Sequence, residues 1–176
     1  MFINKVEIDK VKYYSEFDEM TGVYNRRAGF KRLSQVNTNK TSCTISICFV
    51  DINGLKEVND SFGHDTGDEL IKTVVLGIKD NIRNDDFITR LGGDEFLIVF
   101  SGIAKDEAEV IWDRIQKYYD EVNNKNDKKY VVSASHGIET FFCNSQEKID
   151  DIINNADGRM YLEKKRIKKN LSVIKQ

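Results

Sequence analysis

The sequence predicts an α+β domain: a central, mainly antiparallel sheet flanked by helices, with core order βαββαβ. Three observations carry this. Two apolar segments, 87–91 and 96–100, are separated by Gly92 and Gly93, a pair that reads as a tight two-residue hairpin because glycine adopts positive φ at little cost. A continuous apolar and β-branched run at 43–50 (CTISICFV) has the length and composition of a buried strand. Segments 67–82 and 104–122 instead space their apolar residues at helical intervals.

In chain order, residues 1–17 form a lead-in with a short helix over 2–17, and 18–176 form the domain. The Thr21-Gly22 turn introduces a helix over 25–36, followed by the strand at 43–50. Helix 67–82 carries Leu70, Ile71, Val74, Val75, Ile78 and Ile82 on one stripe. The glycine hairpin supplies two strands, and helix 104–122 follows with Ala108, Ile111, Trp112 and Ile115 facing inward. A polar loop at 123–129 (NNKNDKK) leads to a strand over 130–141, and a helix over 149–167 closes the domain.

Composition narrows the function less than the pattern does. At 176 residues the chain is long enough for one well-filled core. Its 27 basic and 29 acidic residues nearly balance, so no overall field favours nucleic acid or an anionic membrane. Three cysteines, two of them in or beside the strand at 43–50, imply a reducing cytoplasm rather than a disulfide framework. No apolar run approaches membrane-spanning length, and the N-terminus lacks a signal-peptide pattern.

The chemistry concentrates at two places. Asp94 and Glu95 directly follow the glycine turn, at the start of an apolar strand whose successive side chains face opposite ways. Such a pair is unattractive for stability and useful for holding a metal beside a phosphate; the alternative is that the acids merely decorate a hairpin. Upstream, strand 43–50 stops at Asp51, followed by a turn with Gly54 and by Lys56. An acid at a strand end, turn amides and a lysine make a metal–triphosphate cradle, and Asp51 with Asp94 would supply two carboxylates for divalent ions.

Here the chain resembles the GGDEF family of diguanylate cyclases. The signature is Gly92-Gly93-Asp94-Glu95-Phe96; Asp51 through Asp68 match the upstream family block with two departures, and Asp18 through Arg27 match the opening block. The resemblance covers about residues 18 to 170. It implies a ferredoxin-like, palm-type core and condensation of two GTP into cyclic di-GMP by a homodimer, usually behind a sensor domain. It also implies a cytoplasmic location, with no nucleic-acid or direct membrane contact. The implied cofactor is Mg2+ or Mn2+, two ions per site, on Asp51, Asp94, Glu95 and the Ile52 carbonyl, with Asp94 and Glu95 as catalytic acids. Asn59 and Asp68 would read guanine, although Asp68 also suits a helix N-terminus and Asn59 a turn. Gly54 and Leu55 line the base pocket, and Lys56, Lys164 and Lys168 contact phosphates. Arg83 and Asp86 occupy the place of the family's product-inhibition site, and Arg114, on the following helix, would reach a bound product across a dimer interface. The alternative is a non-catalytic member that binds GTP or cyclic di-GMP as a sensor.

The departures are local. Asn53 replaces the family's second aspartate, and Gly54-Leu55 stands where many members carry an aromatic, which predicts weaker GTP binding. After Lys164 the family's glycine is missing. His64, with no second histidine near it in sequence, is expected to hydrogen-bond structurally rather than to bind metal.

Overall fold

The structure is a computed structural model, and it describes residues 13–39 and 43–167. The elements in order are β1 (Tyr24–Asn25), α1 (Arg26–Asn39), β2 (Thr44–Ile52), α2 (Leu55–Phe62) and α3 (His64–Lys79). They continue with β3 (Phe87–Gly92), β4 (Glu95–Ser101), α4 (Lys105–Asn124), β5 (Ala134–Phe142) and α5 (Ile149–Ile167). The five strands lie in the order β1-β3-β4-β2-β5. Among the described residues only the β1–β3 pair is parallel; β2 pairs antiparallel with β4 on one side and β5 on the other. The sheet is thus mainly antiparallel with helices on both faces, as expected for this α+β class.

Strand periodicity explains how the core divides. Along β2, Ile45, Ile47 and Phe49 enter one apolar cluster with Leu33 of α1 and Ile152, Ala156 and Met160 of α5. The intervening Cys48, Val50 and Ile52 enter the other, with Leu70, Ile71 and Val74 of α3 and Ile111, Trp112 and Ile115 of α4. Both faces of β2 are covered, which is why its sequence is a continuous apolar run rather than an alternating one. By the same alternation Asp51 belongs to the α5 face.

Several boundaries differ from the sequence reading, each for a local reason. β2 runs to Ile52, so Asp51 lies inside the strand rather than after it. Residues 55–62, to which the sequence reading assigns no element, form a two-turn helix whose only fully buried side chain is Val58, too short a period to register. α3 starts at His64 and ends at Lys79 rather than spanning 67–82. β5 begins at Ala134, because Asn123 brackets Val132 with two 2.8 Å bonds, Nδ2 to the carbonyl and backbone N–H to Oδ1. The lead-in helix lies partly outside the described residues; residues 13–16 are helical.

The cysteines correct a further expectation. Cys43 and Cys143 form a disulfide across the paired ends of β2 and β5, with Cα atoms 5.2 Å apart and 100 residues between them in sequence. That separation leaves no spacing signal; strand pairing alone brings the two together. Cys48 stays a free thiol, fully buried. Among the described residues no helix is long and apolar enough to cross a membrane.

Candidate functional site

The glycine hairpin is shifted by one residue from the reading above. Gly92 pairs with Glu95, so Gly93 and Asp94 are the turn residues, Gly93 taking φ 47°. Asp94 therefore sits in the turn and Glu95 opens the strand. A register irregularity between Arg90 and Gly92 bends this end of β3. Arg90, which the sequence reading passed over, clamps the turn: Nε and Nη2 donate to the Gly93 carbonyl at 3.2 and 2.8 Å. Its Nη1 donates to both oxygens of Asp18 at 3.1 and 3.3 Å. Asp18 also accepts from the Thr21 backbone N–H and hydroxyl. Burial alone would raise the Asp18 carboxyl, but hydrogen bonds from Thr21 and Arg90 hold it below the usual range. The opening motif is thus a brace for the hairpin. An arginine two residues before the glycine pair was the available signal.

A 3.1 Å bond from the Ile52 N–H to the Asp94 carbonyl ties the turn to the end of β2. In the β2–β4 register Asp51 lies directly opposite Glu95, and on the other side opposite Ser135. Like charges at directly opposed positions repel. Asp51 is buried, and its carboxyl is held above the usual range, first by that burial and further by the charges of Asp94 and Glu95. Lys164 of α5 opposes the shift, its Nζ 2.5 Å from Asp51 Oδ1. The sheet end is therefore an acid-rich pocket already compensated by one ammonium. Its donor set is hard oxygen, which suits Mg2+ or Mn2+. Among the described residues no three His, Cys, Asp or Glu side chains are close enough to hold an ion alone. Mg2+ commonly takes one or two carboxylates and completes its shell with water and substrate phosphate, so the residues present fit it.

Asn53 is buried and bonded at both ends of its amide: Nδ2 donates to Ser133 Oγ, and Oδ1 accepts from Ser135 Oγ, both at 2.9 Å. Its role is to hold β2 to the start of β5 beneath the acids.

On the α2–α3 hairpin, the Asn59 Oδ1 is buried with no hydrogen-bond partner among the described residues. Gly67 packs against it so closely that a Cβ there would lie 1.9 Å from that oxygen. A buried acceptor without a donor is costly unless a ligand supplies one. Asp68, the next residue of α3, is partly exposed, as are Gly54 and Leu55, while Lys56 is exposed in the first turn of α2. His64 is exposed at the start of α3, and its ring makes no hydrogen bond among the described residues, contrary to the structural role expected of it. Lys168 lies outside the described residues.

Arg83 and Asp86 pair with each other. Asp86, whose side chain is wholly buried, accepts from Arg83 N, Nε and Nη2 at 3.0, 3.3 and 3.4 Å, and from the Ser101 N–H at 3.2 Å. The guanidinium also donates to the Ser101 carbonyl at 3.0 Å. Asp86 is thereby committed to the loop, and the half-exposed Arg83 is the member of the pair that faces solvent. Arg114 reaches the same loop, donating to the Asn81 carbonyl at 3.4 Å.

Beside the acid pocket, at the edge of β5, His136 stacks on Trp112 with centroids 4.3 Å apart. Its Nδ1 bonds Glu163 at 2.9 Å and its Nε2 bonds Glu109 at 3.0 Å. Burial disfavours the imidazolium, but hydrogen bonds and charge from Glu163 and Glu109 outweigh it and hold the pKa above its ordinary value. A raised folded pKa stabilises fully below the unfolded value of about 6.5 and is lost as pH rises through the folded value. The melting-temperature advantage of the wild type over His136→Phe should therefore be largest at and below about pH 6 and shrink as the solution is made alkaline. An advantage flat across that range would refute the assignment.

Helices on both faces of a mainly antiparallel sheet, with acids gathered where β2 meets a glycine hairpin, place the chain among palm-like α+β domains. The family model for "Diguanylate cyclase, GGDEF domain" matches residues 15–170, and the chain belongs to that family. It is 34% identical over 156 residues to diguanylate cyclase DosC of Escherichia coli K12, covering 85% of this chain and 33% of DosC. It is 30% identical over 161 residues to the probable diguanylate cyclase DgcT of the same organism, covering 90% of this chain and 35% of DgcT. The chain thus spans about a third of these relatives' length. The crystal structure of the coiled coil and GGDEF domain of DgcB from Caulobacter crescentus, in complex with c-di-GMP, shares the fold. Its TM-score is 0.78 at 23% identity, over 92% of this chain and 87% of that one.

Proposed function

We propose that this chain is the diguanylate cyclase domain of a longer protein, joining two GTP into cyclic di-GMP with release of two pyrophosphates. The observation that supports it best is Asp51 set opposite Glu95, with Asp94 tied to the same strand end through the Ile52 N–H. Mg2+ or Mn2+, two ions per site, would be held by Asp51, Asp94, Glu95 and the Ile52 carbonyl, and when bound supplies charge neutralisation at the transferred phosphate. In each half-reaction a ribose 3′-oxygen bonds to the α-phosphorus of the opposite GTP as the bond to pyrophosphate breaks. Glu95, the most exposed of the three acids, has open access to take the 3′ proton. Lys164 neutralises Asp51 before substrate arrives and, with Lys56 and Lys168, meets the phosphates.

Base selection falls to Asn59 and Asp68. Guanine offers N1–H and an exocyclic amine to two acceptors, whereas adenine presents an unprotonated N1 and leaves one acceptor unpaired. Gly67→Ala tests this: Asn59 must swing away, and the KM for GTP should rise about tenfold. Because Asn59 is a flexible side chain, the melting temperature should hold within a few degrees. A KM unchanged within twofold would remove Asn59 from the base site.

Each protomer would hold one GTP, so turnover requires a two-fold homodimer with facing sites, under control of a sensor domain elsewhere in the protein. GTP supply makes the cytoplasm the site of reaction. Cyclic di-GMP would bind at the exposed Arg83, which Asp86 orients, and inhibit turnover. The test is incubation of purified protein at several concentrations with GTP and magnesium, with products resolved by chromatography and mass spectrometry. Cyclic di-GMP rising more than linearly with protein is expected. Its absence even after forced dimerisation would overturn the reading.

A further inference from the structure

We propose that His136 is a positioning residue for Lys164, acting through the turn of α5 that the two residues share; its catalytic meaning rests on the cyclase reading, its geometry does not. Among the described residues β5 is an edge strand, paired with β2 on one side only. On its open side the His136 backbone N–H donates to Glu163 Oε2, and the ring Nδ1 bonds the same oxygen. The ring Nε2 bonds Glu109 of α4. Both ring nitrogens thus face carboxylates, an arrangement that only the doubly protonated imidazole satisfies with two donors. Trp112, one turn beyond Glu109 on the same helix, holds the ring plane by stacking at an interplanar angle of 18°.

The next residue along α5 after Glu163 is Lys164. Consecutive helical residues point about 100° apart, and these two diverge accordingly. Glu163 turns over the edge of β5 to His136, while Lys164 turns over the sheet face to Asp51. The strand register puts both anchors at one level, since Ser135 pairs with Asp51 and His136 with Val50. Two anchors in different directions fix the rotation of this turn about the helix axis, which one anchor alone cannot do. His136 therefore links α4, on one face of the sheet, to the turn of α5, on the other, that delivers the ammonium to the acid pocket.

The test reads Lys164 itself, by the rate of reductive methylation with formaldehyde and cyanoborohydride followed by peptide mass spectrometry. His136→Phe keeps an aromatic ring on Trp112 and removes both nitrogens. Lys164, paired and one-third exposed, should react several-fold faster in the variant. Lys128, paired with Glu69 on a different part of the surface and one-fifth exposed, should keep its wild-type rate. If His136→Phe does not fold, Glu109→Gln, at a position two-fifths exposed, is the second variant, with a smaller acceleration in the same direction. An unchanged Lys164 rate overturns the proposal, and so does equal acceleration of Lys128, which would mean general loosening. The functional arm is a double-mutant cycle on GTP binding. His136→Phe should weaken GTP several-fold in the wild-type background and have no further effect in Lys164→Met. Faster methylation of Lys164 in a protein that makes no cyclic di-GMP would leave the positioning role standing and remove the cyclase reading alone.

Discussion

Asp94→Ala is expected to lower cyclic di-GMP formation at least about a thousandfold, some 4 kcal/mol of transition-state stabilisation, while leaving the fold intact. The fold survives because the turn is held by main chain: the Asp94 carbonyl accepts from Ile52, and the Gly93 carbonyl accepts from Arg90. Neither bond involves the carboxylate removed. The side chain is only partly buried and contributes like-charge repulsion to Asp51, so its loss should let the Asp51 carboxyl fall towards its ordinary range. The thermal midpoint should hold or rise slightly. Product quantitation by mass spectrometry alongside a thermal melt separates the outcomes. Residual activity within tenfold of wild type would show that the phosphate chemistry does not run through this acid.

Gly137→Ala should produce the largest loss of stability of any one-methyl change considered for this chain. A Cβ there would lie 2.1 Å from the Ala156 carbonyl oxygen and 2.4 Å from the Met160 nitrogen. Both are main-chain atoms of α5, which cannot rotate aside as a side chain would. The helix would have to retreat from β5, opening the cluster in which Ala156 and Met160 pack on Ile45, Ile47 and Phe141. Overpacking of this kind costs about 3 kcal/mol, or about 10 °C in the midpoint for a domain of this size. Because α5 also carries Lys164, nucleotide binding should weaken with stability. Gly158→Ala, on the same helix with nothing within 4 Å of its Cβ, is the control and should be neutral or stabilising. Equal midpoints for the two variants would contradict the close contact between α5 and β5.

Much of this architecture was legible before any coordinates. β2 announced itself by an unbroken apolar run, α3 and α4 by stripes such as Leu70–Ile71–Val74 and Ala108–Ile111–Trp112, and α5 matched its expected span, Ile149–Ile167. The misses cluster where the signal is short or depends on a partner. α2 is two turns long, and the hairpin turn moved by one residue because the β3–β4 register slips near Leu91. The exposure of His64, the burial of the Asp86 carboxylate in its own loop and the bracing of the turn by Arg90 and Asp18 depend on tertiary neighbours.

By itself, the sequence determined where the long helices and the main strands lie, which family the chain joins, and that Asp51, Asp94 and Glu95 are the acids worth watching. Those properties are local: a hydrophobic period, a turn residue or a short motif is complete within a few neighbours. Only the tertiary structure decided that Asp51 faces Glu95, that Lys164 reaches Asp51 from 113 residues away, and that His136 is held between Glu109 and Glu163. It also decided that Cys43 meets Cys143. The physical reason is register. A strand presents alternate faces every residue, so which distant side chains meet is set by how strands and helices pair, and a shift of one position would put each of these groups on the wrong side of the sheet.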